Sequence, residues 1–286
     1  MLNFLRNLDR RWIFLAMMLT VAIPILAQKS YFEGPTQTVR DAFNAVESLP
    51  QGSIVFMPLD FDPGTEAELG PMAVAFARHC CLRGHKIVFI TLWPNGGPMI
   101  DQTINRVIRS EFGDTYQYGR DYVNLGYRSG LEMVINVIAT DLRAQFKTDK
   151  QNNSLDSLPL TRDMRSVADA QLIASVSGGT PGAKEWVQYA GRRLGIPVIG
   201  GATGVQSTQL YAYYPQQLAG LLPAIKGAAE YEKLLGDKYP RFSGEDKTDA
   251  IRKMAPQLWG HLLIIALIIL GNVVFLIDRK RGRAAA

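Results

Sequence analysis

The stretch Leu258–Ile277, LWGHLLIIALIILGNVVFLI, runs for twenty residues without a formal charge. At about 1.5 Å per residue, a helix of that length crosses a hydrocarbon core of roughly 30 Å. A soluble helix of the same length would show a polar face, and this one shows none. Trp259 stands at its start, where an aromatic interface residue belongs, and Asp278-Arg279-Lys280-Arg281 ends it. The run therefore reads as a membrane span, and the rest of the chain has to be organised around it.

A second apolar segment lies near the other end. Trp12–Ala27, WIFLAMMLTVAIPILA, has sixteen residues, with Pro24 near its far end. It reads either as an uncleaved signal anchor or as a secretory signal peptide cut after Ala27. Cleavage there puts Ile25 at the −3 position, where a small residue is wanted, and this favours the anchor. Arg6, Arg10 and Arg11 precede this segment, and Arg279, Lys280, Arg281 and Arg283 follow the other one. The positive-inside rule then expects two spans, both termini in the cytoplasm, and the bulk of the chain outside. The resulting organisation is a tail (1–11), a first span (12–28), a domain (29–235), a stalk (236–256), a second span (257–277) and a basic tail (278–286).

Charge distribution limits the partners. The two tails hold seven basic and two acidic residues, which accounts for the whole net charge of +5. Residues 12–277 carry 24 of each sign, so the domain has no basic excess with which to neutralise phosphates, and nucleic acid is not an expected partner. Cys80 and Cys81 are the only cysteines. Adjacent on a helix, they point about 100° apart and cannot form an unstrained disulfide. His79 and His85 flank them, but the spacing matches no familiar zinc pattern, and the pair reads as small apolar packing.

Between the spans, apolar runs alternate with helical patterns. After an amphipathic helix carrying Val39, Phe43 and Val46 come strands at 53–59, 85–93, 122–127, 170–177 and 196–201. Helices are expected at 66–82, 98–111, 130–146, 182–194 and 215–235, with a polar excursion before a short helix at 161–167. Continuous apolar strands separated by helices imply a parallel sheet with right-handed crossovers and both faces covered. The expected fold is α/β: a five-stranded, doubly wound, flavodoxin-like or Rossmann-like sheet between two transmembrane helices, with 2-1-3-4-5 as the default strand order.

In such a sheet, ligands bind where loops leave the carboxyl ends of the strands. After the first strand stands Asp60-Phe61-Asp62-Pro63-Gly64-Thr65, which resembles the haloacid dehalogenase phosphotransferase signature. The resemblance implies Asp60 as nucleophile, Asp62 as acid/base and Thr91 as the hydroxyl after the second strand. This sequence departs from it by inserting Pro63 and by ending the fourth strand in Ser177-Gly178-Gly179 in place of metal-binding carboxylates. The simpler reading has Asp62 and Glu66 capping the following helix. Ser177 to Gly182, SGGTPG, opens another helix with backbone amides that could meet an anion, though it matches neither a P-loop nor GxGxxG.

The candidate ligand-binding residues are Asp60, Asp62, Trp93, Asn95, Tyr127, Ser177, Gly178, Gly179, Thr180 and Thr203. No nucleophile–base pair, metal set or cofactor motif is legible, because His79 and His85 belong at the opposite end of the strands. The segments SGGTPGAKEWV, GIPVIGGATG and QQLAGLLPAIKGAAEYEKLL, with YVNLGY upstream, resemble a family of prokaryotic membrane-anchored proteins without an established activity. That resemblance implies the architecture and transfers no site residue. The expected function is a membrane-anchored, non-catalytic domain that binds a small ligand or a partner protein within a membrane assembly. Self-association through Gly271 and Asn272 of the second span is part of that expectation. The alternative is a tethered metal-dependent hydrolase using the carboxylates after the first strand.

Overall fold

The computed structural model describes residues 9–27, 34–244 and 247–284. They form two units, one comprising Glu33–Ala250 and the other joining Met1–Phe32 to Ile251–Ala286.

The first unit is an α/β domain on a six-stranded parallel sheet. Its strands are β1 (Ile54–Asp60), β2 (Lys86–Thr91), β3 (Tyr122–Tyr127), β4 (Leu172–Ser177), β5 (Val198–Ala202) and β6 (Gly220–Pro223), in the order β3-β2-β1-β4-β5-β6. This corrects the five-strand expectation and its default order. β6 is only GLLP, and Leu218, Leu221, Leu222 and Ile225 around it carry a helical spacing that hid it inside a predicted helix over 215–235. Tertiary pairing decides the outcome. Ile199 to Ala202 align in parallel with Gly220 to Pro223, and the helix starts only at Ala224.

The helices of the domain are α2 (Gln37–Glu47), α3 (Glu66–Leu82), α4 (Gly97–Thr103), α5 (Glu132–Ile138), α6 (Ala183–Trp186), α7 (Arg192–Leu194), α8 (Gly204–Leu210) and α9 (Ala224–Lys238), with α1 reserved for Arg10–Ala27 of the other unit. Two of them widen into π-helix, α4 through Ile104–Arg109 and α6 through Val187–Gly191, which leads on to α7. The helix expected over 130–146 stops at Ile138; Leu142 and Phe146 reach the core from the turns beyond it.

Packing explains the layers. α3 lies against α9 on one face of the sheet, and α2 packs on β6 and α9. The close approach of α2 depends on Gly220, where a Cβ would sit 2.3 Å from the Ala42 backbone nitrogen. On the other side, Phe56, Val88, Ile90 and Val123 meet Val134, Ile135, Trp186 and Val187 in one apolar cluster. Each such side chain contributes about 1.5–3 kcal/mol on full burial.

Of residues 236–256, expected as a stalk, 236–244 and 247–250 pack on the domain. Phe242 and Ala250 are buried, the Ala250 N–H donates to Glu232 Oε1 at 3.1 Å, and Lys247 Nζ lies 2.9 Å from Glu111 Oε1. Glu111 also takes two 2.9 Å bonds from the buried Arg78 guanidinium, the bidentate geometry that makes such pairs strong.

In the second unit, α10 (Asp249–Ala284) contains the one helix among the described residues that is long and apolar enough to cross a membrane, Asp249–Ile277. The expectation of two such helices is corrected to one. α1 (Arg10–Ala27) opens with two arginines and holds Pro24, so its apolar part spans only about 24 Å. Gly260 of α10 is buried, and a Cβ there would lie 3.9 Å from a Val21 methyl of α1. Small residues at such contacts let apolar helices approach closely. Gly271 has nothing within 4 Å of where its Cβ would be, and Asn272 Nδ2 donates back to Ile268 O at 2.9 Å within the helix.

Candidate functional site

Strand order reverses between β1 and β4, so the crevice of this fold belongs above their carboxyl ends. Asp60 and Ser177 are in register there, and the Gly178 N–H donates to Asp60 O at 3.1 Å. The Asp60 carboxyl group is fully buried and both of its oxygens are engaged. Leu92 N–H donates to Oδ1 at 2.7 Å and the Trp186 indole N–H to Oδ2 at 2.8 Å. Burial pushes this carboxyl up to about 7, against the pull of the Leu92, Trp186 and Thr91 hydrogen bonds.

The other acids after β1 are also engaged. Asp62 Oδ1 accepts from Thr65 N–H at 3.3 Å in the turn before α3, whose N-cap is Thr65 with no side-chain cap bond, so Asp62 does not cap the helix as expected. Glu68 Oε1 accepts from Gly204 N–H at 3.0 Å and ties this loop to the start of α8. Glu66 Oε1 accepts from Gln102 at 3.1 Å and lies 3.5 Å from Arg106.

The glycine loop after β4 is closed in the same manner. The Trp93 indole N–H donates to Pro181 O at 2.8 Å, and its ring covers Gly179, where a Cβ would come within 2.9 Å of it. Gly182 N–H donates to Glu185 Oε2 at 2.8 Å, and Ala183 N–H to Ser177 Oγ at 3.0 Å. Two of the amides at this helix start, those of Gly182 and Ala183, are occupied by the chain's own oxygens.

Asp60, Trp93, Ser177 and Gly178 thus hold the hydrogen bonds that close the switch point, with Gly179 packed beneath the Trp93 ring. Thr180 is exposed and precedes Pro181, while Thr203 is buried and caps α8 by accepting from Gln206 N–H at 3.4 Å. Asn95 is exposed in the turn after β2, and Tyr127 ends β3, two strands away from β1. Sequence reasoning missed Trp186 and Glu185. Glu185 stands three residues after Gly182, a capping-box spacing that was available to find it. Trp186 looks like any core residue of an apolar helix face, and nothing in the sequence pairs it with Asp60.

Among the described residues, no group of three or more His, Cys, Asp or Glu side chains is placed to hold a metal ion. Cys80 and Cys81 are free and buried, and burial pushes both thiols upward.

Around the closed crevice the rim also carries exposed apolar side chains. The exposed large hydrophobic side chains of the α/β domain, among the described residues, are Tyr127, Leu131, Met133, Val205 and Tyr211. Tyr127 ends β3, Leu131 and Met133 follow it, and the last two follow β5, so they leave strands on either side of the β1/β4 switch point that stand four spacings, about 19 Å, apart. Leu131 is held outward by a backbone at φ +54° and ψ −137°, next to Gly130 at φ +134°. The neighbouring Arg128 guanidinium is anchored 4.6 Å over the Phe146 ring.

No family model matches the chain, and no curated protein matches it.

Proposed function

We propose that this protein is a membrane-anchored, extracytoplasmic α/β domain that binds a partner protein, as a non-catalytic subunit of a membrane assembly. One observation carries the reading: polar groups at the switch point are satisfied by the chain itself, while the exposed apolar side chains of the domain gather on the rim around it. A catalytic crevice keeps polar groups unengaged for substrate. A protein contact instead presents aromatic, Leu and Met side chains. The hydrolase alternative would need Asp60 free and a further carboxylate beside it, and here Asp60 is occupied by two neutral donors.

The anchor in this reading is α10, with α1 packed on it, and the basic run after Ile277 stays in the cytoplasm. Protease added outside intact cells should then cut within 34–250 and spare a reporter at Ala286; the opposite pattern inverts the topology. For the partner, a photo-crosslinking residue is placed at Met133, at Val205, or at exposed Gln51 near the other end of the sheet, in native membranes. The expected result is a discrete adduct of one size from Met133 and Val205, absent from Gln51 and lost with Leu131→Asp. Equal adducts from all three positions, or none from the rim, would sink the proposal.

A further inference from the structure

A cavity of about 330 Å³ opens beside β3, away from the switch point and outside every residue considered above as a ligand contact. It falls at the lower end of the volume range for small-molecule sites. β3 is an edge strand, and residues 147–155 run along its outer side in a turn built on Asp149. Lys150 N–H donates to Asn124 O at 2.9 Å. The buried Asp149 carboxylate accepts from Gln151 N–H and Asn153 N–H, both at 2.8 Å, and from Tyr118 O–H at 2.7 Å. This holds Lys150 and Gln151 opposite the helix that supplies Asp101, Asn105 and Arg109.

Two features point to a ligand, the distorted helix and Arg109, and a buried asparagine fixes the wall between them. The helical wall is π-helical over Ile104–Arg109, a distortion concentrated at functional sites. Asn124 is buried inside an otherwise apolar strand, with Nδ2 donating to Asp101 Oδ1 at 3.2 Å and Oδ1 accepting from Gly126 N–H at 2.8 Å. Asp101 is already paired with Lys150, whereas Arg109 bonds only Asn105 Oδ1, at 2.9 Å, and has no ion-pair partner among the described residues. The cavity therefore carries at its wall one exposed guanidinium without an ion-pair partner among the described residues, amides from Asn105 and Gln151, and the Tyr118 and Tyr122 rings packed edge to face at 5.2 Å.

We infer that this cavity is a binding site for a small hydroxylated carboxylate of the sugar-acid class, with Arg109 taking the carboxylate and the amides taking hydroxyls. A planar guanidinium matches a carboxylate through two parallel hydrogen bonds. The side-chain amides donate and accept, as a polyol requires. The inference is independent of the apolar rim and does not rest on the partner-binding reading.

The test uses the full chain in detergent and measures binding of D-glucuronate, D-glucose and acetate by isothermal titration. Saturable glucuronate binding is expected, at least tenfold tighter than either glucose or acetate, since each carries only half of the recognised chemistry. Arg109→Gln, at an exposed position, should weaken glucuronate at least tenfold with an unchanged melting temperature. Met133→Glu on the rim should leave it unchanged. No saturable binding of glucuronate, binding of glucose as tight as that of the acid, or an Arg109→Gln affinity within twofold of the parent overturns the assignment.

Discussion

Two carboxylates at opposite ends of the same sheet are treated in opposite ways. Asp60, at the carboxyl end, meets neutral donors, among them a backbone N–H and an indole, and burial raises it to about 7. Glu47, at the C-terminus of α2, lies 3.0 Å from Lys238 Nζ and 3.3 Å from Arg83 Nε, and accepts from Tyr239 O–H at 2.9 Å. It is lowered to about 2, with its hydrogen bond to His79 the largest cause. Burial holds His79 itself below its usual range. Near pH 7 its ring is therefore neutral, with Nε2–H donating to Glu47 at 2.9 Å and Nδ1 accepting from the Tyr231 hydroxyl at 2.7 Å. The Glu47 cluster is a clamp that ties α2, α3 and α9 together through charge. The Asp60 cluster is a plug that closes the crevice through neutral donors to a buried acid. Neither leaves an acid available for chemistry.

The plug should be the more sensitive of the two. Trp186 is fully buried, packs against Phe56 with ring centroids 5.6 Å apart, and supplies one of the two Asp60 donors. Trp186→Ala should cost about 3–5 kcal/mol from lost burial and the cavity left behind. Trp186→Phe keeps much of the volume but removes the N–H, and should cost about 1–3 kcal/mol. Glu47→Gln, which keeps an acceptor for His79 and sits where the charged partners are half solvated, should cost about 1 kcal/mol or less. Thermal unfolding of the three variants in detergent ranks them. A Glu47→Gln loss as large as that of Trp186→Ala would show that charge rather than packing holds the domain.

Acid and base should separate the clusters further. A raised acid such as Asp60 favours the folded state while it is protonated. Its contribution is fully present below about 4 and falls as pH rises towards 7. Glu47 and His79 are depressed, so their contributions are present at neutral pH. They are lost on acidification, that of His79 as pH falls below its ordinary 6.5 and that of Glu47 between 4.5 and about 2. Asp60→Asn places an amide against two donors and should be destabilised by about 1–3 kcal/mol at pH 4. That deficit should shrink as pH rises to 8, because the parent alone bears the cost of ionising Asp60. A deficit constant across this range in a pH series of melting temperatures would place Asp60 in a solvated setting.

The clusters also mark how far the sequence could be read. Apolar runs such as IVFMPL and KIVFIT announce strands covered on both faces, and five of the six strands and the long helix α3 lie close to where periodicity puts them. GLLP could not be recognised, since four residues carry no period of their own and only the neighbouring β5 makes them a strand. The same holds at the crevice. Asp60, Ser177 and Trp93 could be assigned to one rim because strand ends are local features. That the rim is closed depends on the Trp186–Asp60 bond, between residues 126 positions apart, and on Trp93 reaching Pro181 across 88.

The rim outside the plug offers the smallest change in stability and the sharpest separation of fold from function. Leu131 is a branched residue at φ +54° and ψ −137°, a region that glycine enters freely and a side chain with Cβ does not. Strain of this kind costs about 1–3 kcal/mol and persists where the surroundings or a function demand it. Leu131 is 54% exposed, so burial does not supply the demand. Leu131→Gly relieves the strain but gives the unfolded chain more freedom, which returns about 0.5–1 kcal/mol. The net expectation is a protein as stable as the parent, or more stable by up to about 1–2 kcal/mol, that has lost the Met133 crosslink to its partner. An unchanged crosslink would assign the strained leucine to the loop's own geometry and leave the rim without its central contact.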